Sequence, residues 1–254
     1  MQLAITREVS PALQRCQLSY LPRREIDLAL AGQQHRHYEQ ALSDLGCSVR
    51  SLPALPDCAD SVFVEDTAIV LEEIAVITRP GAESRRPETA AMAAVLKEYR
   101  ELRQIDPPGT LDGGDVLCIG RTLYVGVSAR SNAAGISQLR QALAAFGYRV
   151  AAVPVRDCLH LKSAATLAAP ETLLFNPDWV DAYTFHGVDC LPVDPTEPHA
   201  ANTVGLGSGV IYPASCPRTR ARLEQRGLRV VSVDMSETEK AEGGVSCCSL
   251  VFSA

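Results

Sequence analysis

Residues 111–150 read LDGGDVLCIG RTLYVGVSAR SNAAGISQLR QALAAFGYRV, and this stretch contains one complete structural unit. After a polar turn, two short runs at 116–119 and 122–127 are rich in β-forming residues and predict two strands. Apolar side chains then recur at helical spacing over residues 131–146. Gly147 is suited to end that helix, and another β-rich run follows it. The unit is therefore strand, turn, strand, helix, strand.

Copies of this unit can be laid over one another along the chain. Helical periodicity recurs over residues 25–45, 87–102 and 217–225, and a second pair of strands is predicted at 68–71 and 75–78. The polar residues that open successive copies fall at steps of 47, 48, 42 and 45 residues: Glu65, Asp112, His160, Asn202 and Cys247. Such regular steps indicate a protein built from stacked repeats.

The last copy is incomplete at the C-terminus. Beyond Cys247 only one strand is predicted, at 248–252, so the copy must borrow its other elements from the N-terminus, where residues 1–7 predict a strand. Five repeats that close head to tail predict an α/β propeller of five blades, with the first strand of each blade lining the axis. An open α/β sheet is the alternative, but the dinucleotide-binding G-x-G-x-x-G pattern is missing and the repeats are very regular. No linker or low-complexity stretch divides the chain, and we expect a single domain over residues 1–254.

Composition narrows the class of protein. The 254 residues are 46% hydrophobic and 21% charged, with a net charge of −6, so a nucleic-acid partner is not expected. The chain begins with a predicted strand instead of a signal peptide, and no apolar stretch approaches the roughly 18 residues of a membrane span. The nine cysteines lack C-x-x-C pairs, which favours reduced thiols in a cytoplasmic protein.

Five motifs in order resemble the dimethylarginine dimethylaminohydrolases of the guanidino-group-modifying superfamily. They are DSVFVED at 60–66, TRPGAESRR at 78–86, TLDGGDVL at 110–117, LHLK at 159–162 and GGVSC at 243–247. That superfamily has a five-bladed α/β propeller fold. The resemblance implies hydrolysis of Nω-methylated arginine, asymmetric dimethylarginine or monomethylarginine, to citrulline and dimethylamine or methylamine, without a metal or organic cofactor.

The chemistry of a guanidinium agrees with this resemblance. Its carbon is a poor electrophile and needs a strong nucleophile, and a thiolate is the best that a protein offers. We expect Cys247 to be the nucleophile and Cys248, on the opposite face of a strand, to be core. His160, on the polar face of a strand between two leucines, would protonate the leaving amine and then activate water. Asp112 would orient His160 or hold a guanidinium N–H. The alternatives are a pair of buried cysteines, a structural histidine and an acid in a turn.

The resemblance also implies a set of substrate-binding residues. Carboxylates at Glu65 and Asp66 would hold the guanidinium; on a strand the two face opposite ways, and Asp66 is the better candidate for direct contact. Asp60 matches the family's partner for the α-ammonium group. Further positions match the carboxylate-binding arginines and a leucine of a mobile lid: Arg85, Arg130 and Leu18.

Several alternatives remain open from the sequence. The substrate could be arginine, Nω-hydroxyarginine or another guanidine, since the lid region departs from the family pattern. Arginine deiminases are much longer and carry an inserted helical region, and the histidine segment of amidinotransferases differs. A non-catalytic propeller that serves as a binding module belongs to another class, but it has no need to keep an acid, an imidazole and a thiol together. Some bacterial relatives pair up, so a homodimer is possible.

Overall fold

The computed structural model describes residues 2–254, which form fifteen strands in five separate sheets. The strands are β1 (Gln2–Arg7), β2 (Cys47–Leu52), β3 (Ala68–Val70), β4 (Ile74–Ile77), β5 (Glu101–Gln104), β6 (Val116–Ile119), β7 (Thr122–Val127), β8 (Arg149–Pro154), β9 (Ala165–Ala169), β10 (Thr172–Phe175), β11 (Asp189–Pro192), β12 (Val204–Leu206), β13 (Gly209–Pro213), β14 (Val230–Val233) and β15 (Leu250–Ser253). The α-helices are α1 (Leu28–Asp44), α2 (Glu88–Leu96), α3 (Ala133–Leu143), α4 (Leu161–Ala164), α5 (Pro217–Gln225) and α6 (Ser236–Glu239).

Each sheet has three strands and the same topology. The strand orders are β3-β4-β5, β6-β7-β8, β9-β10-β11, β12-β13-β14 and β15-β1-β2. In every sheet the middle strand pairs antiparallel with the first and parallel with the third. The predicted five-bladed α/β propeller is confirmed, and so is its closure, because the last strand pairs with the N-terminal strand, with Leu3 opposite Phe252.

Helices supply the crossovers between parallel strands. The helices α1, α2, α3 and α5 connect the second and third strands of four blades, whereas the β10–β11 connection holds only the 3-10 turn Ala182–Thr184. The predicted start of the first helix at residue 25 is wrong by three residues. Asp27 caps α1, since its carboxylate accepts the N–H groups of Ala29 and Leu30.

The second predicted helix was too long. It ends at Leu96 instead of Leu102, and the residues after Arg100 form β5 against β4. Helical spacing is a local signal, and here pairing with a neighbouring strand overrides it, because the sheet satisfies the backbone N–H and C=O groups of this segment. The glycine stops are confirmed: Gly46, Gly147 and Gly227 have φ of 95°, 73° and 78°.

The core is distributed over the ring. Each middle strand carries a side chain that is completely buried, and these are Ile5, Val76, Leu123, Leu174 and Ile211. First strands of neighbouring blades pack together, β9 against β12 and β3 against β15. The short turns that precede the first strands therefore meet near the axis. No helix within residues 2–254 has both the length and the apolar character to cross a membrane.

Candidate active site

Four short helical turns near the axis contain or directly follow four of the five polar residues that open the repeats. They are the 3-10 turns Val64–Thr67, Gly113–Asp115 and Ser246–Cys248 and the single turn α4. The turns pack closely, and a Cβ added at Gly113 would lie 2.0 Å from the carbonyl oxygen of Glu65. Glycine at 113 therefore permits an approach of two backbones that any other residue would prevent.

The expectation that His160 lies within a strand is wrong. His160 immediately precedes α4, and Leu161, the first residue of that turn, is completely buried. Likewise Glu65 and Asp66 share a 3-10 turn, and Cys248 closes the turn Ser246–Cys248 ahead of its strand. In a 3-10 turn, as in a strand, adjacent side chains point in different directions. Neighbours such as Glu65 and Asp66 therefore still face different surroundings, although the backbone is not the strand that the sequence predicted.

A buried imidazole is held between two carboxylates. His160 Nε2 lies 3.0 Å from Asp112 Oδ2, and His160 Nδ1 lies 3.8 Å from Asp66 Oδ1. Burial alone would lower the pKa of His160, but Asp66 and the hydrogen bond to Asp112 outweigh it and raise this pKa to about 9. The imidazole is therefore predominantly protonated at neutral pH.

Asp66 has a partner on each of its carboxylate oxygens. Its Oδ1 accepts the N–H of Gly114 at 2.9 Å, and its Oδ2 accepts a hydrogen bond from Arg85. Burial would raise the pKa of Asp66, but the neighbouring His160 and Arg85 lower it to about 2. Asp66 is accordingly a permanent negative charge beside His160.

The thiol of Cys247 shares a pocket with this pair. Its sulfur accepts the N–H of Gly244 at 3.4 Å. Burial raises the pKa of Cys247 to about 12, and the nearby carboxylates of Glu65 and Asp66 contribute to the rise. Cys248, in contrast, is fully buried in the apolar cluster beneath, as expected. At neutral pH both the thiol and the imidazole are therefore predominantly protonated.

We call the small cavity between these groups the inner pocket. Its volume is about 20 Å³. Its walls include six of the residues that the sequence singled out, namely Asp60, Asp66, Arg85, Arg130, His160 and Cys247. Asp112 stands behind His160, while Glu65 and Leu18 are not among the lining residues. The structure thus brings together the acid, imidazole and thiol that are far apart in the chain.

The two arginines lie in different environments. Arg85 is completely engaged with protein groups: it pairs with Asp66, donates to Glu88 at 2.8 Å and donates to the carbonyl oxygen of Phe63 at 2.9 Å. Arg130 lies 3.5 Å from Asp112 and 3.4 Å from Ser19 Oγ, both long contacts. Arg130 can therefore turn to a ligand at lower cost than Arg85.

Replacing Arg85 by alanine should destabilise the fold. The change would leave Asp66 and Glu88 buried without their cation, which costs about 3–5 kcal/mol in the free energy of unfolding. Urea denaturation followed by circular dichroism would measure this loss. The matched control is Arg86→Ala at the next residue, whose guanidinium pairs with the exposed Glu83 and should matter little. Equal midpoints for the two variants would contradict the structural role of Arg85.

Glu65 belongs to a polar network behind the thiol. It accepts hydrogen bonds from Lys162 Nζ and Ser246 Oγ, each at 2.8 Å. Asn202 completes the network, because its side chain donates to Ser246 Oγ and accepts the N–H of Ser246. This network joins residues of four blades, and one of them, Ser246, is the residue next to Cys247. Leu18 is half-buried and, like Cys247, packs against the apolar cluster that contains Cys248.

Sequence reasoning assigned no role to several of these residues. Asn202 carried a signal, since it occupies the repeat position that elsewhere holds an acid, an imidazole or a thiol. Asp115 is completely buried and accepts hydrogen bonds from Ser128, Ser131 and the N–H of Leu161, which fixes α4 and with it His160. Asp115 is part of the motif at residues 110–117, but its role could not be predicted because its hydrogen-bond partners lie on other elements.

One group of ligating atoms could in principle hold a cation. Single atoms of Asp66, Asp112 and His160 lie within 4.8 Å of one another. Asp66 is already paired with Arg85, and Asp112 hydrogen-bonds His160 and accepts the N–H of Gly81 at 2.8 Å. The group is thus an internally paired cluster of charges.

The chain is similar in sequence and in fold to known proteins that act on arginine. The family model described as arginine deiminase matches residues 51–188. The N-terminal domain of ArgZ, an arginine dihydrolase from cyanobacteria, superposes with a TM-score of 0.87 at 19% identity, covering 98% of this chain and 97% of that one. Fold and site therefore define an α/β propeller of the arginine deiminase class.

Closer relatives narrow the class. The N(G),N(G)-dimethylarginine dimethylaminohydrolase of Streptomyces coelicolor is 43% identical over 248 residues, which are 97% of this chain and 95% of that protein. The protein of the same name from Pseudomonas aeruginosa is 37% identical over 89% of this chain and 90% of its own length. A structure of the Pseudomonas protein, a cysteine-to-serine mutant complexed with citrulline, superposes with a TM-score of 0.93 at 35% identity and covers 98% of both chains. The chain belongs to the dimethylarginine dimethylaminohydrolase family.

Proposed function

We propose that this protein hydrolyses Nω-methylated arginine, asymmetric dimethylarginine or monomethylarginine, to citrulline and dimethylamine or methylamine. The observation that carries the proposal is the inner pocket, whose walls include both the thiol of Cys247 and the buried His160, which hydrogen-bonds Asp112. The relatives from Streptomyces and Pseudomonas bear the name of this activity, and the Pseudomonas structure holds citrulline.

Cys247 acts as the nucleophile once the substrate is bound. The raised pKa of its thiol comes from burial and from the charges of Glu65 and Asp66. A guanidinium held by Asp66 brings a positive charge that opposes these effects, so substrate binding lowers the pKa of the thiol and a proton is released. The thiolate then adds to the guanidinium carbon.

His160 moves the protons of both half-reactions. As imidazolium it donates a proton to the methylated nitrogen, the C–N bond breaks, and the amine leaves an S-alkylthiouronium on Cys247. The neutral imidazole then takes a proton from water, whose oxygen attacks the same carbon, and cleavage of the C–S bond releases citrulline. Asp112 keeps the ring oriented through the 3.0 Å contact to Nε2.

The remaining residues hold the amino acid. We assign Asp66 to the guanidinium and Arg130 to the α-carboxylate, with Arg85 as support for Asp66 and as a secondary contact to that carboxylate. Asp60, whose pKa is raised by burial, receives the α-ammonium group. Glu65 does not line the pocket and acts through its hydrogen bond with Ser246, the residue next to Cys247. Leu18 covers the pocket. No cofactor has a role in this scheme.

A direct assay tests the proposal and its alternatives. The protein is incubated separately with asymmetric dimethylarginine, arginine and Nω-hydroxyarginine, and citrulline and amine are quantified. Release of citrulline and dimethylamine from asymmetric dimethylarginine supports the proposal. Preferential turnover of arginine or Nω-hydroxyarginine would show that the preferred compound is the substrate instead. No product from any of them, together with a Cys247 that haloacetamidines fail to alkylate, would favour a binding module.

Arg130→Ala should weaken substrate capture with little effect on kcat. A charge-assisted hydrogen bond is worth roughly 1.5–3 kcal/mol, so KM should rise about tenfold to a hundredfold. Steady-state kinetics of citrulline formation measures the two constants separately. The control is Arg121→Ala, an exposed arginine paired with Glu73. A fall confined to kcat in the Arg130 variant would contradict its assignment to the α-carboxylate.

A further inference from the structure

The side-chain amide of Asn202 contacts the segment that carries the thiol. Asn202 is buried and lies shortly before β12. Its Oδ1 accepts the N–H of Ser246 at 2.9 Å, and its Nδ2 donates to Ser246 Oγ, also at 2.9 Å. Both hydrogen bonds are made to the residue that precedes Cys247, so they hold the 3-10 turn Ser246–Cys248 from outside its own blade.

The same amide packs against the backbone of Gly244. A Cβ added at Gly244 would lie 2.3 Å from Asn202 Oδ1, so this approach requires glycine. The N–H of Gly244 in turn donates to the sulfur of Cys247 at 3.4 Å. That hydrogen bond lowers the pKa of the thiol, against the opposing effect of burial. Asn202 therefore supports the stretch of backbone that stabilises a thiolate.

A third hydrogen bond of Asn202 reaches the turn next to His160. The Nδ2 of Asn202 donates to the carbonyl oxygen of Lys162 at 3.0 Å. Lys162 belongs to α4, which begins directly after His160. The amide thus joins the segment that carries the thiol to the segment that carries the imidazole, and it constrains the position of one relative to the other.

The pattern of donors and acceptors calls for an amide at this position. Ser246 Oγ donates its one proton to Glu65 at 2.8 Å, so it must accept from Asn202. The carbonyl oxygen of Lys162 also needs a donor, whereas the N–H of Ser246 needs an acceptor. A carboxylate of the same size would keep only the last of these contacts, and it would add a second negative charge near Glu65.

We propose that Asn202 is a positioning residue for the nucleophile: it ties the segment from Gly244 to Cys247 to the turn that follows His160, and so keeps the N–H of Gly244 on the sulfur. When the thiolate forms, its negative charge makes this hydrogen bond charge-assisted and stronger. Asn202 is not among the residues that line the inner pocket, so it acts through its neighbours. The effect on the thiol is independent of the proposed function, whereas the effect on turnover rests on it.

Alkylation of the thiol tests the positioning without reference to turnover. In the absence of substrate and at one fixed pH, iodoacetamide should modify Cys247 about tenfold more slowly in Asn202→Ala and in Asn202→Asp than in the native protein. Loss of a hydrogen bond to a charged group corresponds to about this factor. Tandem mass spectrometry distinguishes Cys247 from Cys248, and circular dichroism checks the fold. If the alanine variant unfolds, the aspartate variant, which is equal in size to the native residue, decides the test.

The matched controls are Asn176→Ala and Asn176→Asp. Asn176 is also buried, and its amide likewise donates to a backbone carbonyl, that of Pro198, and accepts a backbone N–H, that of Asp178, each at 2.9 Å. Neither partner belongs to the turn of the thiol or to α4. Alkylation at the native rate in both Asn202 variants, or equal slowing in the Asn176 variants, would overturn the proposal. Slowing in Asn202→Asp beside a folded alanine variant of native rate would also overturn it, because the added charge would then be the cause.

Steady-state kinetics gives a second readout. In the Asn202 variants kcat for dimethylarginine should fall about tenfold while KM changes little, because the lost contacts lie outside the inner pocket. A rise in KM at native kcat would contradict the positioning role. If the native protein turns over no substrate but alkylation slows only in the Asn202 variants, the positioning stands and the proposed function fails. If the native protein hydrolyses dimethylarginine and neither kcat nor alkylation changes in these variants, the proposed function stands and the positioning fails.

Discussion

Cys247→Ser is expected to lower kcat for dimethylarginine by at least about a thousandfold while the protein stays folded. A serine hydroxyl is a much weaker nucleophile than a thiolate, and no bound guanidinium can bring its pKa near neutrality. Citrulline formation under saturating substrate measures kcat, and calorimetric titration with dimethylarginine checks that binding remains. The binding readout separates loss of the nucleophile from collapse of the pocket.

Cys248, the neighbouring residue, provides a matched control for the change at Cys247. Cys248→Ser makes the same sulfur-to-oxygen change one residue away, in a side chain that is completely buried. Its thiol already donates to the carbonyl oxygen of Gly244 at 3.7 Å, so a hydroxyl there has an acceptor and the fold should tolerate it. Most of the native kcat should remain. If Cys248→Ser were inactive and Cys247→Ser active, the assignment of the nucleophile would be wrong.

His160→Gln is expected to lower kcat by about a hundredfold to ten-thousandfold, the usual contribution of general acid–base catalysis. Glutamine fills much of the same space and can still hydrogen-bond Asp112, but it cannot donate a proton to the leaving amine. His37→Gln is a suitable control because His37 is exposed on α1. Native-like turnover in the His160 variant would exclude His160 as the proton donor.

The pH dependence of kcat sharpens this test. The pKa of His160 is raised to about 9, so the imidazolium is present below that value and is lost as the pH rises through it. The native enzyme should therefore lose kcat on the alkaline side with a midpoint at or somewhat below pH 9, since a bound guanidinium lowers the pKa of a neighbouring imidazolium. His160→Gln should lack this alkaline fall. An unchanged fall in the variant would assign it to another group.

Much of the fold could be predicted because its signals are local and repeated. The polar residues that open the repeats recur at steps of 42 to 48 residues, and strand pairs, helical spacing and glycine stops such as Gly147 fall between them. Together these signals predict both the five blades and the need for the N-terminal strand to complete the last one. The predictions failed where local signals compete with distant contacts. The residues after Arg100 continue a helical pattern, but their pairing with β4 makes them a strand.

The candidate site shows the same division. The sequence already shows that an acid, an imidazole and a thiol open three of the five repeats, and these are the groups that chemistry on a guanidinium requires. Two arginines of similar sequence context could not be told apart, because only the folded structure buries Arg85 between Asp66 and Glu88 and leaves Arg130 with long contacts.

The sequence by itself therefore determined the repeat, the ring and the kinds of side chain at its axis. Only the tertiary structure decided the protonation of these groups and which of the two arginines is tied up by buried carboxylates. Both depend on burial and on distances of a few ångströms between residues far apart in the chain, and the strength of a charge interaction varies steeply with both.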